Sequence, residues 1–192
     1  MREGALIAFG SNDLSVWGSP AETVAAAMAR VARLSQGAVA RSALFATPAF
    51  PAGSGPDYVN AAMRIATNMP AETLLAALHG IEAMAGRVRQ TRWGQRTLDL
   101  DLLALGDRVL PDMATYAAWR DLAPEAQASR APDRLILPHP RLQDRAFVLV
   151  PLCQIAADWR HPVSGLTARA LCDALPVRDR AAVRPLDGAE TP

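Results

Sequence analysis

The sequence predicts an α+β fold, a split β-α-β sandwich in which helices pack on one face of an antiparallel sheet. Short apolar or alternating runs at residues 4–9, 58–66 and 98–103 have the two-residue period of strands. Runs at helical spacing open at Ser19 and Pro70. Together they give the order strand, helix, strand, strand, helix, strand. The 192 residues, 51% hydrophobic and 5% aromatic, suffice for one domain with a substantial core, so residues 1–192 are expected to form a single domain.

Residues 4–9 read as a buried first strand that stops at Gly10-Ser11-Asn12. Gly10 is either a plain turn glycine or a place where a ligand approaches the backbone. Ser19-Pro20-Ala21-Glu22 starts a helix, with Ser at the N-cap, Pro in the first position and Glu set for a capping box. Val24, Met28, Val31 and Leu34 continue it until Gly37. One strand is expected over residues 38–46, followed by a Pro- and Gly-rich loop from Thr47-Pro48 through Phe50 to Pro56, a connector or a flap over a site. In the next strand Tyr58 and Asn60 share a face, which suits stacking on and hydrogen bonding to a planar heterocycle, or simple packing. Pro70 opens a second helix whose Leu74, Leu78, Ile81 and Ala85 face the core, with Glu82 off that stripe, near an arginine-rich loop. Residues 107–133, with three prolines, read as an inserted surface excursion holding a short helix around 113–122. His139, between two prolines, is either a rigidly held donor to a phosphate or part of a surface turn. Asp144 is expected to cap a helix containing Val148, Leu149 and Leu152; Leu166–Leu175 should be a last short helix, and 177–192 a frayed tail.

The chemistry concentrates in residues 86–103. In Thr97-Leu98-Asp99-Leu100-Asp101-Leu102, alternation puts three leucines on one face and two carboxylates on the other. Paired carboxylates on an apolar strand call for compensation, and a hard cation such as Mg2+ supplies it; charges guarding a solvated edge strand are the other reading. Just upstream, Arg87, Arg89, Arg92 and Arg96 surround Trp93. Guanidinium groups beside a metal suit polyphosphate transfer, whereas alone they would read equally as a solvated basic loop or a nucleic-acid patch. All 20 basic residues are arginine, which excludes P-loop, Schiff-base and general-base lysines. A net charge of +1 argues against a nucleic-acid partner, no run reaches the ~20 apolar residues of a membrane span, and Cys153 and Cys172 are too few and too far apart for a zinc knuckle. A soluble, cytoplasmic protein with two reduced thiols is expected.

FGSN at 9–12, TP at 47–48, PDYVNAA at 56–62, GRVR at 86–89, RWGQRTLDLDLL at 92–103, LPHP at 137–140 and DRAFVLVPL at 144–152 occur in one order. In these the chain resembles the bacterial 6-hydroxymethyl-7,8-dihydropterin pyrophosphokinases of folate biosynthesis. The resemblance implies a ferredoxin-like fold and Mg2+-dependent transfer of pyrophosphate from ATP to the pterin hydroxymethyl group, releasing AMP, by a monomer. It implies that Asp99 and Asp101 hold two magnesium ions and that Arg87 and Arg96 stabilise the moving charge. Glu82, Arg89, Arg134 and His139, with Arg87 and Arg96, would contact ATP. Tyr58 and Phe147 would sandwich the pterin and Asn60 would read its amide edge, with Gly10, Thr47, Pro48, Phe50 and Trp93 lining or closing the pocket. Gln95 stands where proline is usual, and Ile136 and Pro140 stand where a hydroxyl residue and an aromatic are usual. A non-catalytic nucleotide- or pterin-binding module on the same fold is the alternative.

Overall fold

A computed structural model describes residues 2–49, 55–86, 97–123, 126 and 130–186. Strand β1 (Glu3–Ser11) is central, pairing antiparallel with β4 (Tyr58–Thr67) on one side and β5 (Asp99–Leu105) on the other. Beyond β4 lie two short strands, β2 (Val39–Arg41) and β3 (Phe45–Thr47), and β3 in turn pairs with β6 (Arg184–Pro185). The single strand expected over 38–46 is thus two. Arg41 opposes Met63 and Phe45 opposes Asn60, so three residues face two and the chain bulges. Ser42 Oγ accepts the Ala62 N–H at 2.9 Å and Gln154 Oε1 takes the Ala43 N–H at 2.8 Å, so the bulge leaves neither donor orphaned.

Helix α1 (Pro20–Ala32) begins with the predicted capping box: the Ser19 hydroxyl accepts from Glu22 N, and Ser19 N donates to Glu22 Oε2 at 2.8 Å. With α2 (Ala71–Met84) it covers one face of the sheet, packing Val24, Val31, Leu74 and Leu78 against Ile7, Phe9, Met63, Leu98, Leu100 and Leu102. The three leucines of the alternating strand lie together on this face, as predicted.

Helices cover the second face as well, contrary to the one-sided packing predicted. Helix α4 (Ala146–Ala156) and helix α5 (Ala168–Ala174) bury Val148, Leu149, Leu152 and Leu171 against Leu6, Ala8, Ala62, Leu103 and Ala104. A register shift between Leu6 and Ile7 gives β5 one extra residue, so Leu103 and Ala104 both reach this core. Asp144 does not cap α4: it ends a single 3-10 turn, Leu142–Asp144, and binds Arg141 Nε at 2.8 Å, leaving Arg145 at the N-cap.

Helix α3 (Met113–Arg120) realises the short helix of the 107–133 excursion, capped by Asp112. The excursion is anchored through Tyr116, fully buried, whose hydroxyl meets His161 Nε2 at 3.1 Å. Nor is the segment from 177 all frayed: α6 (Val177–Ala181) and β6 follow, because Val183 is buried with Ala43, Phe45 and Ala146 while β6 satisfies the β3 edge. Among the described residues no helix is long and apolar enough to cross a membrane.

Candidate active site

Directly opposed residues of an antiparallel pair share a face. Asp99 opposes Gly10 and Gly10 opposes Asn60, so these three form one row across β5, β1 and β4. One step inward the row becomes Asp101, Ala8 and Ala62, where the core beneath α4 begins. The polar row therefore lies at the end of the second face, beyond the apolar core beneath α4. Gly10 keeps its middle open: a Cβ there would lie 3.3 Å from Asn60 Oδ1 and 3.9 Å from Asp99 Cβ. Asn60 is buried, and its side-chain amide donates to the Thr47 hydroxyl, which leaves Oδ1 directed toward Gly10. Tyr58 pairs with Thr47 at the same end and, being two residues from Asn60, lies on the same face.

Arg145 closes the inner side. Its Nη1 lies 3.4 Å from Asp101 Oδ2, and its guanidinium carbon is 5.7 Å from the centre of the Phe147 ring. Phe147 stays 39% exposed beside it. The guanidinium also faces His139. Burial first, then Arg145, opposed by Asp99, pushes the His139 imidazole down to about 3, so the ring is neutral. Its Nδ1 accepts from Arg141 N at 3.1 Å, which leaves the proton on Nε2 as a donor. The segment carrying His139 is fixed to the outer edge of β5, His139 N donating to Leu103 O at 2.8 Å.

The donor set around Asp99 and Asp101 suits Mg2+. Both ligand candidates are half-buried carboxylates on one face, and Arg145 is a cation already drawn to one of them. Among the described residues no group of three or more His, Cys, Asp or Glu side chains is placed to hold a metal. Two protein oxygens plus phosphate and water is the manner in which Mg2+ is commonly held, and an all-protein cage is not.

Of the residues singled out in the sequence, the fold brings together Gly10, Thr47, Tyr58, Asn60, Asp99 and Asp101 by sheet pairing, and draws His139 and Phe147 in through Arg145. Pro48 is exposed beside Thr47. Arg134 is exposed and its Nε pairs with its neighbour Asp133 at 3.2 Å. Ile136 is buried, so that position offers the site no polar group, and Pro140 is partly buried. Glu82, read as lying off the core-facing stripe, is 2% exposed, and its Oε1 takes the Leu100 N–H at 2.8 Å. Phe50, Arg87, Arg89, Arg92, Trp93, Gln95 and Arg96 lie outside the described residues. Arg145 carried no role in the sequence reading, although it stands inside the DRAF motif; its partner Asp101 is 44 residues away.

Comparison with known proteins shows the family of the chain. The family described as 7,8-dihydro-6-hydroxymethylpterin-pyrophosphokinase (HPPK) matches residues 6–157. Proteins named 2-amino-4-hydroxy-6-hydroxymethyldihydropteridine pyrophosphokinase are similar to this chain in several bacteria. That of Haemophilus influenzae is 36% identical over 83% of this chain and 86% of its own length. That of Pseudomonas aeruginosa is 37% identical over 84% and 86%. That of Synechocystis sp. is 41% identical over 58% of this chain, and the match spans about half, 47%, of that longer protein. Among solved structures, wild-type HPPK-DHPS of Plasmodium falciparum superposes with a TM-score of 0.60 over 90% of this chain and 44% of that one; at 14% identity the likeness is one of fold. The matched span starts in β1, ends just past α4 and so contains every strand and helix that frames the polar row, which makes the chain a member of the 7,8-dihydro-6-hydroxymethylpterin-pyrophosphokinase family.

Proposed function

We propose that the protein transfers the β,γ-pyrophosphate of ATP as one unit to the hydroxymethyl group of 6-hydroxymethyl-7,8-dihydropterin and releases AMP, as a single cytoplasmic domain acting as a monomer. The observation that carries the reading is the row Asp99–Gly10–Asn60. Its ends are two strand spacings apart, roughly 10 Å. A hard-cation platform thus faces an amide reader across a glycine gap, a distance that seats a bicyclic heterocycle beside a polyphosphate.

In this reading Asn60 Oδ1 accepts from the pterin amide edge while Thr47 fixes its orientation, and Tyr58 and Phe147 stack on the two ring faces. Asp99 and Asp101 hold two Mg2+ ions, which when bound neutralise phosphate charge and activate the β-phosphorus. His139 donates Nε2–H to a phosphate oxygen, its neutrality ensuring that Nδ1 stays an acceptor for Arg141 N. Arg145 restrains Asp101 and stacks on Phe147, linking the two halves of the site. The resemblance adds Arg87 and Arg96 for the charge that moves to the leaving AMP, Arg89 and Arg134 for the nucleotide, and Phe50, Pro48 and Trp93 for the pocket walls. The hydroxymethyl oxygen bonds to the β-phosphorus as the bond from that phosphorus to the bridging oxygen breaks; AMP leaves with the electron pair and the hydroxyl proton passes to water. Catalysis is then positioning plus electrostatic stabilisation.

The test is AMP release from ATP, Mg2+ and the pterin, with no-pterin and EDTA controls. AMP that requires both supports the reading; ADP refutes pyrophosphate transfer. Pterin binding without any product would favour a non-catalytic module. Asp99→Asn and Asp101→Asn should each lower the rate by about 1000-fold or more while the unfolding temperature changes by a few degrees.

A further inference from the structure

We infer that Val183 is a positioning residue: from the C-terminal segment it holds strand β3 and the start of α4, the two walls of the pterin end of the site, at a fixed separation. The inference rests on the reading of Tyr58, Asn60 and Phe147 as that end. The row that begins at Asp99 does not stop at Asn60. Asn60 opposes Phe45 and Phe45 opposes Pro185, so one row runs Asp99, Gly10, Asn60, Phe45, Pro185 across five strands, with β6 at its far end. Phe45 is therefore the side chain beside Asn60 on the same face, and Thr47, two residues on, shares that face. Because the Thr47 hydroxyl holds the Asn60 amide, the placement of β3 decides where that amide points.

Val183 packs where the two walls meet. It is buried in one cluster with Ala43 and Phe45, on the β3 side, and with Ala146 of α4. Ala146 lies between Arg145 and Phe147, the residues through which α4 enters the site. Both alanines are short, so Phe45 and Val183 supply most of the side-chain volume between the walls. The backbone around Val183 is fixed on both sides: Val183 N donates to Arg180 O at 3.1 Å, Leu186 N donates to Leu44 O at 2.9 Å, and Arg184 opposes Ala46. Pro185, without an N–H, suits the last strand of the sheet. An anchored side chain in a close-packed cluster dictates the positions of its neighbours, and deleting its two methyls lets them move into the space vacated. Phe45 then draws β3 and Thr47 away from Asn60, while the start of α4 shifts with Phe147.

The test compares wild type, Val183→Ala, Val183→Ile and Val31→Ala. Val31→Ala makes the same deletion in the core on the opposite face, under α1, and controls for lost stability alone. Three quantities are read: affinity for 6-hydroxymethyl-7,8-dihydropterin by calorimetry, with Mg2+ and a non-hydrolysable ATP analogue present; affinity for that analogue alone; and the Asn60 side-chain amide proton shifts. Val183→Ala should weaken pterin binding about fivefold and shift the Asn60 amide, with analogue affinity within about twofold of wild type. Val183→Ile, which keeps the branched contact, should stay within about twofold for both ligands. Val31→Ala should lower the unfolding temperature and leave all three readings unchanged. Equal losses for pterin and analogue, a pterin loss with the Asn60 amide unshifted, or the same pterin loss in Val31→Ala would each overturn the proposal. Should Val183→Ala not fold, Val183→Thr decides, since it keeps the shape and puts a hydroxyl into the cluster. Weaker pterin binding with a shifted Asn60 amide then supports positioning, and any other result refutes it. Should the wild type bind no pterin, the functional reading fails separately, and the Asn60 amide shifts still judge whether Val183 sets that side chain.

Discussion

Acidification from pH 7 to pH 5 should destabilise the fold through two histidines that remain neutral inside it. His139 is pushed down to about 3, by burial above all and then by Arg145. His161, 3% exposed, is held below its ordinary value mainly by burial. Its Nδ1 accepts from Val163 N at 3.2 Å and Ser164 N at 3.3 Å, so a proton there would point at two donors. In the unfolded chain both imidazoles titrate near about 6.5. Above that pH neither state binds the protons and the full stability is present. Below it the unfolded chain takes up protons that the folded chain refuses, so stability falls as pH drops toward the folded values. For His139 the loss at pH 5 is RT ln(1 + 10^1.5), about 2 kcal/mol. His161, held down mainly by burial, adds to the loss in the same direction, and the His139 contribution of about 2 kcal/mol is already a sizeable part of a typical 5–15 kcal/mol. Urea unfolding followed by tryptophan fluorescence at pH 7, 6 and 5 measures the loss. His139→Gln and His161→Gln should each flatten the dependence. A stability independent of pH over this interval, or a slope that neither variant alters, would refute the reasoning.

Two further substitutions separate the site from its support. Tyr116→Phe removes the oxygen that accepts from His161 Nε2 and leaves a buried donor unpaired. It should cost about 1–3 kcal/mol, a fall of roughly 2–10 °C in unfolding temperature, with AMP release at 25 °C unchanged. Altered turnover in the folded variant would instead tie the excursion to catalysis. Gly10→Ala puts a methyl 3.3 Å from Asn60 Oδ1, and Asn60 has little freedom to retreat because Thr47 holds its amide. Calorimetric titration should show pterin affinity weakened about tenfold with the fold intact. Unchanged affinity would make Gly10 a plain turn glycine.

What could be read from the chain was what short-range periodicity encodes. Alternation in Leu98 to Leu102 fixes both faces of β5 at once, and the Ser19–Glu22 box is complete within four residues. The burial of Glu82 was not legible because the helical stripe describes one packed face, whereas Glu82 on α2 also receives the Leu100 N–H of β5. The two bulges escaped because each depends on a partner strand's register, with Gln154 supplying the acceptor for one of them from 111 residues away. Cover on the second face did leave a signal: the α4 sequence AFVLVPLCQIA is apolar almost all round, more than a helix with one wet face needs.

That same helix explains why the chemistry sits where it does. Both cores need apolar floors, and the second is apolar up to Ala8 and Ala62, where α4 begins. Past that point the apolar core under α4 ends, so Asp99 and Asn60 stand outside both apolar clusters, in one row with Gly10. The N-cap of α4 is Arg145 with no side-chain cap bond, which leaves its guanidinium available to reach Asp101 while Phe147, two residues on, stays exposed. A capping Asp or Ser at that position would satisfy the helix but place no cation beside Asp101. The start of α4 thus gives up a local cap for a contact across the site, a trade expected where a sequence departs from local rules at a functional position.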